Sequence, residues 1–276
     1  MAVVLQAASR EALAETSVLL DAYVDTARAA DLARLGEELF AFVRLLVAQR
    51  PLRRVLGDPS TPEQARTRLV EQVLGGQLAE PTLDLVRALV RSRWSRSLDL
   101  IDAAETLARR ATLGPAEKDG TLDDVEDELF RFGRLLAREP ELEGLLSDEA
   151  SPAEGRVGLL DRVLNGQASA VGTALLRQSV RLPRGRHLDV VAEQLAEQAA
   201  ARRDRSVARV SSPVALTATQ EQKLTESLTR LYRRPISLQV ELDESLLGGL
   251  VVRVGGEVID GSVAGRLAKA RRVLPS

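Results

Sequence analysis

His187 is the only histidine among the 276 residues, and cysteine is absent. Protein metal sites are mostly built from several imidazoles, thiolates and carboxylates. A histidine-based metal cluster, a paired-imidazole mechanism, disulfides and thiolate chemistry are therefore all excluded. His187 reads as a polar residue opening a helix. Forty acidic residues always offer some carboxylate pair, but no local His-Asp-Ser or acidic-pair arrangement stands out. The expectation is a chain with no catalytic residue, no metal and no cofactor.

Glycines cluster near the C-terminus, at Gly248-Gly249 and Gly255-Gly256. A phosphate cradle needs a lysine and a hydroxyl residue after the glycines, or the dinucleotide spacing at a helix start, and neither is present. These glycines read as turns and close packing, with Gly248 and Gly249 turning the chain into a strand. A different pattern is Arg91-Ser92-Arg93-Trp94-Ser95-Arg96, which sets the sole tryptophan among cations. It fits a solvated interhelical loop whose Trp94 packs on a bundle, a protein interface, or a patch that stacks on bases. Its counterpart at 181 to 186 is also arginine-rich.

The elements that carry these residues follow from composition and repetition. Apolar residues make up 45% and charged residues 28%, which is globular usage. Aromatics reach only 3%, so cores of Leu, Val and Ala in closely packed helices are expected. The net charge of −2 and the lack of a long basic run give no drive toward nucleic acid. No basic stretch precedes an apolar run at Met1 to Arg10, and no run of 18 apolar residues exists. Neither a leader nor direct membrane insertion is expected.

Shifted by 90 residues, Leu32–Asp102 aligns without a gap on Leu122–Ala192, and 25 of 71 positions are identical. The first two-thirds of the chain is a duplication. Each copy opens with an amphipathic stripe, Leu32, Leu35, Leu39, Phe42, Val43 and Leu46 in one and Leu122, Val125, Leu129, Phe132 and Leu136 in the other. Pro51 and Pro140 interrupt that stripe. Pro62 and Pro152 start second helices, which Gly75-Gly76 and Asn165-Gly166 close. Third helices begin near Pro81 and Ala168, and fourth helices at Leu98 and Leu188. Ser9 to Arg28 adds a helix to copy one, the helix through Leu107 adds one to copy two, and Gly114 to Gly120 reads as a linker. After Arg203 the pattern changes to a strand at Ser206–Val210, then a capping box at Thr217–Gln220 opening a helix that Pro235 ends. Strands at Ile236–Leu242 and Leu250–Val254 follow, then a turn at Gly255-Gly256 into Glu257-Val258-Ile259 and a last helix ending at Lys269, Arg271 and Arg272. The predicted fold is mostly α: two tandem duplicated antiparallel helical bundles, residues 1–104 and 105–205, followed by a small α+β domain, 206–276.

The string from Leu246 to Ser262, with Leu246, Gly248, Gly249, Arg253, Asp260, Gly261 and Ser262, and Arg266 beyond it, resembles the hallmark of the delta subunit family of bacterial rotary ATP synthases. The mitochondrial relative of that family is the oligomycin-sensitivity-conferring protein. The resemblance covers roughly residues 105 to 276. Ordinary members carry one helical bundle; two bundles are similar to the actinobacterial branch, which leaves open which copy does the family's job. The resemblance implies a non-catalytic stator subunit of the peripheral stalk, at the cytoplasmic face of the cell membrane through its complex. It implies that a bundle grips alpha subunits of the head, next to beta, and that the C-terminal domain holds the stalk's b subunit. Leu39, Phe42 and Leu46, with Leu129, Phe132 and Leu136, are the expected framework of the helix-binding bundles, and the C-terminal string is the expected stalk interface. The rival readings are an arginine-rich nucleic-acid-binding helical repeat, a general scaffold and an unrecognised enzyme.

Overall fold

The computed structural model describes residues 5–205, 207–232, 236–243, 245–254 and 257–263. The chain forms two compact units, 1–198 and 199–276. The first holds α1 (Ala7–Thr26), α2 (Ala29–Ala48), α3 (Arg50–Gly57), α4 (Glu63–Leu74), α5 (Glu80–Arg91), α6 (Ser97–Asp119), α7 (Leu122–Arg138), α8 (Pro140–Ser147), α9 (Ala153–Leu164) and α10 (Ala170–Arg181). It also holds the start of α11 (Leu188–Arg205), which runs across the division.

The 90-residue period is visible in these boundaries: α3, α4 and α5 shifted by 90 give α8, α9 and α10 end for end. Pro51 and Pro140 sit in the first turn of α3 and α8, so they open short helices, because a proline there gives up no helical hydrogen bond. Pro62 and Pro152 cap α4 and α9. At the far ends Gly76, Asn165 and Gly166 take the left-handed conformation, with φ of 76°, 45° and 71°, which Gly and Asn adopt at least cost.

The same shift carries α1 onto α6 and α6 onto α11. The expected fourth helix of copy one and the expected extra helix of copy two are therefore a single helix. The proposed boundary between residues 104 and 105 falls inside it, and so does most of the segment read as a linker. Gly114 serves contact here: a Cβ on it would meet Leu32 Cδ1 at 2.8 Å, and one on Gly36 would collide with the Thr112 side chain. Small residues let α2 and α6 approach closely, and α6 ends only at Gly120, with φ of 71°. Its Leu100, Ile101, Ala104, Leu107, Ala108 and Ala111 join the core of copy one with Leu32, Leu35, Leu39, Phe42, Leu46, Val86 and Leu89.

In the second unit β1 (Val207–Ser212), α12 (Ala218–Tyr232), β2 (Ser237–Leu242), β3 (Val251–Val254) and β4 (Glu257–Asp260) follow α11. The sheet order is β2-β1-β3-β4, with β1 parallel to β2 and the other neighbours antiparallel. Thr217 and Gln220 form the expected capping box: Gln220 N–H donates to Thr217 Oγ1 at 3.3 Å, and Thr217 N–H donates to Gln220 Oε1 at 2.9 Å. Ala208, Val210, Val252 and Val254 bury one sheet face with Leu228 of α12. Ser206, Pro235, Gly255-Gly256 and the last helix, with Arg266, lie outside the described residues.

A helix common to both copies joins them within one compact unit, so they are expected to fold together. We expect Ala108→Pro, which breaks α6 at a cost of about 3 kcal/mol or more, to lower amide-exchange protection in α2 and in α10 alike. Loss confined to one copy would show that the two fold separately.

Candidate partner interface

In each copy the fifth helix is held at both ends by charge. Glu38 of α2 accepts from the Ala79 N–H at 3.0 Å and from the Thr82 hydroxyl, at the start of α5. Glu128 of α7 accepts from the Ser169 N–H at 3.0 Å and the Ser169 hydroxyl at 2.8 Å, at the start of α10. At the other ends the buried Arg66 donates to the Ser92 and Arg91 carbonyls at 3.0 and 3.2 Å, and the buried Arg156 donates to the Val180 carbonyl at 2.6 Å. A carboxylate on free N–H groups and a guanidinium on free carbonyls both match the helix dipole. Glu38 and Glu128, and Arg66 and Arg156, stand 90 residues apart.

The surfaces flanking these helices differ between the copies. Beside α10 lies a cleft of about 450 Å³. Ala170, Val171 and Ala174 form one wall, Phe40 and Ala33 of α2 the other, and Pro115 of α6 the floor, with Arg177 and Arg181 on the rim. At the positions equivalent to Ala170, Val171 and Ala174 copy one carries Glu80, Pro81 and Asp84, and a separate groove of about 300 Å³ between α1 and α5 is lined by Glu15, Thr16, Ala88, Arg91 and Ser92. Val18 and Leu19 of α1 are exposed nearby in the sequence. Leu39, Phe42, Leu46, Leu129, Phe132 and Leu136 are all buried, so they shape the bundles from within, and other residues supply the walls.

The arginine-rich loops are anchored. Trp94 is 2% exposed, and its Nε1–H donates to the Leu89 carbonyl at 2.8 Å, so its ring is not available for stacking on bases. In copy two Arg184 occupies that position with φ of 59°. It spans Asp102 at 2.7 Å and Glu105 at 2.5 Å, both on α6, while Arg186 and Arg109 reach Glu105 at 2.6 and 2.7 Å. Burial pushes the Glu105 carboxyl up, but Arg109, Arg186 and Arg184 outweigh it and hold the group below its ordinary value. His187 is exposed just before α11, and its carbonyl accepts from the Val191 N–H. Neighbouring Glu143 accepts from the Leu188 N–H at 3.1 Å and Ser147 Oγ at 2.7 Å. Glu143, His187 and Asp189 come close enough for their donor atoms to lie within 4.8 Å, yet the Glu143 oxygen is already capping a helix.

The C-terminal string folds back on itself. Gly248 and Gly249 have φ of 147° and 83°, and a Cβ on Gly249 would come 2.9 Å from Ser262 Cα. Val263 N–H donates to the Gly248 carbonyl and Gly261 N–H to that of Leu250, both at 2.9 Å. Asp260 accepts from the Ser262 N–H at 2.9 Å. Leu246 closes the preceding turn onto Asp243. Arg253 is exposed on β3 directly opposite Arg209 on β1, a like-charged cross-strand pair that is unfavourable when nothing faces it.

The sequence model of the ATP synthase delta (OSCP) subunit family matches residues 109–274. ATP synthase subunit delta of Streptomyces griseus is 45% identical over 97% of this chain and 98% of its own length. The chain belongs to the ATP synthase delta (OSCP) subunit family. It is a non-catalytic subunit of the peripheral stalk of an F-type ATP synthase. Subunit delta of Rhodococcus opacus is 44% identical over 98% of the chain. A Mycobacterium protein named ATP synthase subunit b-delta is 42% identical over 98% of the chain, which spans 61% of that longer protein. The delta-family match starts within α6, so copy one precedes it. Among the described residues, no helix of this delta-family chain is long and apolar enough to cross a membrane.

Sequence reading missed Glu38, Glu128, Arg66 and Arg156 as helix clamps, although all four are identical across the duplication. It also missed Arg209, whose meaning depends on strand register. Glu105 supplies a direct test of the buried cluster. Its folded-state value lies below its unfolded one, so its contribution is present above the unfolded carboxylate range and is lost as pH falls through the folded value. We expect Glu105→Gln to lower stability at neutral pH by about 3–5 kcal/mol, since it strands buried guanidinium groups, and to flatten the acid limb of urea midpoint against pH. An unchanged acid limb would contradict this.

Proposed function

We propose that the two bundles of this stator subunit each hold an N-terminal segment of an alpha subunit, next to beta at the crown of the head. The domain at 206–276 holds the b subunit, at the cytoplasmic face of the cell membrane. Copy one (1–104) and copy two (105–205) act here as two grips joined by α6. The observation that carries the reading is the cleft beside α10, whose walls are mostly alanine, valine and phenylalanine with arginines at the rim. An amphipathic helix laid there buries apolar area and needs no reacting group. Copy one presents charged residues at the matching place, so its affinity is lower. Two tethered grips prolong attachment through effective concentration, and the rigid connection fixes their spacing.

For the b subunit the supporting features are the Arg209–Arg253 pair on the open sheet face and the refolded string from Leu246 to Ser262. The Mycobacterium relative's name joins b and delta in one protein, which fits a lasting association between them.

Titration of the full chain with an alpha N-terminal peptide is expected to reveal two unequal sites. Ala174→Glu, in the cleft wall, should weaken the tighter site about tenfold or more, equivalent to about 1.4 kcal/mol, and Ala88→Glu should affect only the weaker. An unaltered tight site in Ala174→Glu would place alpha elsewhere. Separately, the double variant Arg209→Glu/Arg253→Glu should lose co-purification with b while keeping its circular dichroism; full retention of b would move that interface off the sheet face.

A further inference from the structure

Copy one shows how its own second helix receives a neighbour. Phe40 and Arg44 stand one turn apart on α2. Phe40 faces Ala170, Val171 and Ala174 of α10 across the cleft and is 7% exposed. Arg44 Nη1 donates to Gln178 Oε1 of the same helix at 2.7 Å. One helix thus faces both residues, the aromatic across the cleft with small apolar side chains at i, i+1 and i+4, and the guanidinium directly through an oxygen at i+8.

Copy two repeats the pair as Phe130 and Arg134 on α7, 90 residues on, with no helix of the first unit in the α10 position. Phe130 is 50% exposed. Arg134 makes no hydrogen bond or ion pair among the described residues, where Arg44 makes one. Between α7 and α11 runs a groove of about 120 Å³, lined by Phe130, Gly133, Arg134, Ala137, Asp189 and Glu193. Gly133 brings its two walls together, since a Cβ there would lie 3.2 Å from the Asp189 carbonyl oxygen and 3.4 Å from Ala192 Cβ.

We propose that the Phe130–Arg134 face of copy two is a docking site for an amphipathic helix of a partner protein, bearing small apolar residues at i, i+1 and i+4 and a carboxylate or carboxamide oxygen at i+8. The charges around the groove fix the partner's chemistry further. The α7 side carries exposed Arg131, Arg134 and Arg138, of which, among the described residues, only Arg131 is paired, with Asp127. The α11 side carries Asp189 and Glu193. The partner helix therefore presents acidic residues over α7 and basic residues over α11. A second copy of this chain is a poor occupant: its α10 already engages its own Arg44, and Arg177 and Arg181 on that helix would face the arginines of α7. This site lies on a different helix pair from the clefts assigned to alpha, so the two assignments stand or fall separately.

The test uses the assembled synthase. Phe130→p-benzoylphenylalanine keeps an aromatic ring at the centre of the face and cross-links on illumination, and co-purification of the variant with the complex shows that assembly is intact. The expected result is an adduct with another subunit, mapped by mass spectrometry to a helical segment of the stated pattern, whose yield falls several-fold when Arg134→Glu is added. Absence of an adduct with another subunit, an adduct between two copies of this chain, or a yield indifferent to Arg134→Glu would each overturn the proposal.

Discussion

The fifth helix of each bundle depends on two opposite charges placed at its two ends. A free helix of 12 residues is marginal in water. Here Glu38 or Glu128 takes the unpaired N–H groups at its start, and Arg66 or Arg156 takes the carbonyls at its end. These four side chains come from the second and fourth helices, so the clamp also ties three helices together. The neighbouring surfaces inherit their shape from it: the alanine-rich wall of copy two and the charged wall of copy one both lie on helices held in this way. Most other buried positions are Leu, Val or Ala, whose contacts are non-directional and fix no orientation by themselves.

The second constraint is continuity. Because α6 closes one bundle and opens the next, the copies share backbone as well as contacts. The cluster of Asp102, Glu105, Arg109, Arg184 and Arg186 strengthens this on the copy-two side, since the α10–α11 loop is bonded to the same helix that copy one packs around. A stator must transmit load without rotating at its joints, and a helix is stiffer than an irregular linker. Gly114 and Pro115 would suggest a hinge in an isolated peptide. In the bundle Gly114 lies against Leu32, and the helix passes through.

Much of the architecture was legible in the amino-acid order. The duplication, the strands, the capping box and the C-terminal string all rest on local patterns, and local patterns survive folding. The sharing of α6 did not show, because glycine and proline are breakers by local chemistry and only tertiary packing overrides them. The short α3 and α8 were hidden for a related reason: a proline that interrupts one helix also starts the next. Trp94 left three readings open, and its burial against Leu89 decides among them. Phe40 and Phe130 mark the limit most clearly. They are identical letters in closely similar local sequence, yet one is enclosed and the other is open, since the difference lies in what stands beside each copy. The framework residues Leu39, Phe42, Leu46 and their counterparts were recognisable as apolar stripes, but periodicity alone does not separate a groove wall from the core beneath it.

The shared helix also bears on how such a chain could arise and be shortened. The repeating unit is five helices, and each unit borrows its sixth from the first helix of the next. Duplicating 90 residues in register therefore lengthens the protein without inventing a connector, since the old final helix becomes the new junction. Removing one period in register reverses the step, leaving a single six-helix bundle with every helix in its original order. Lineages can thus gain or lose a whole bundle in one recombination event, with no intermediate that exposes a half-built core.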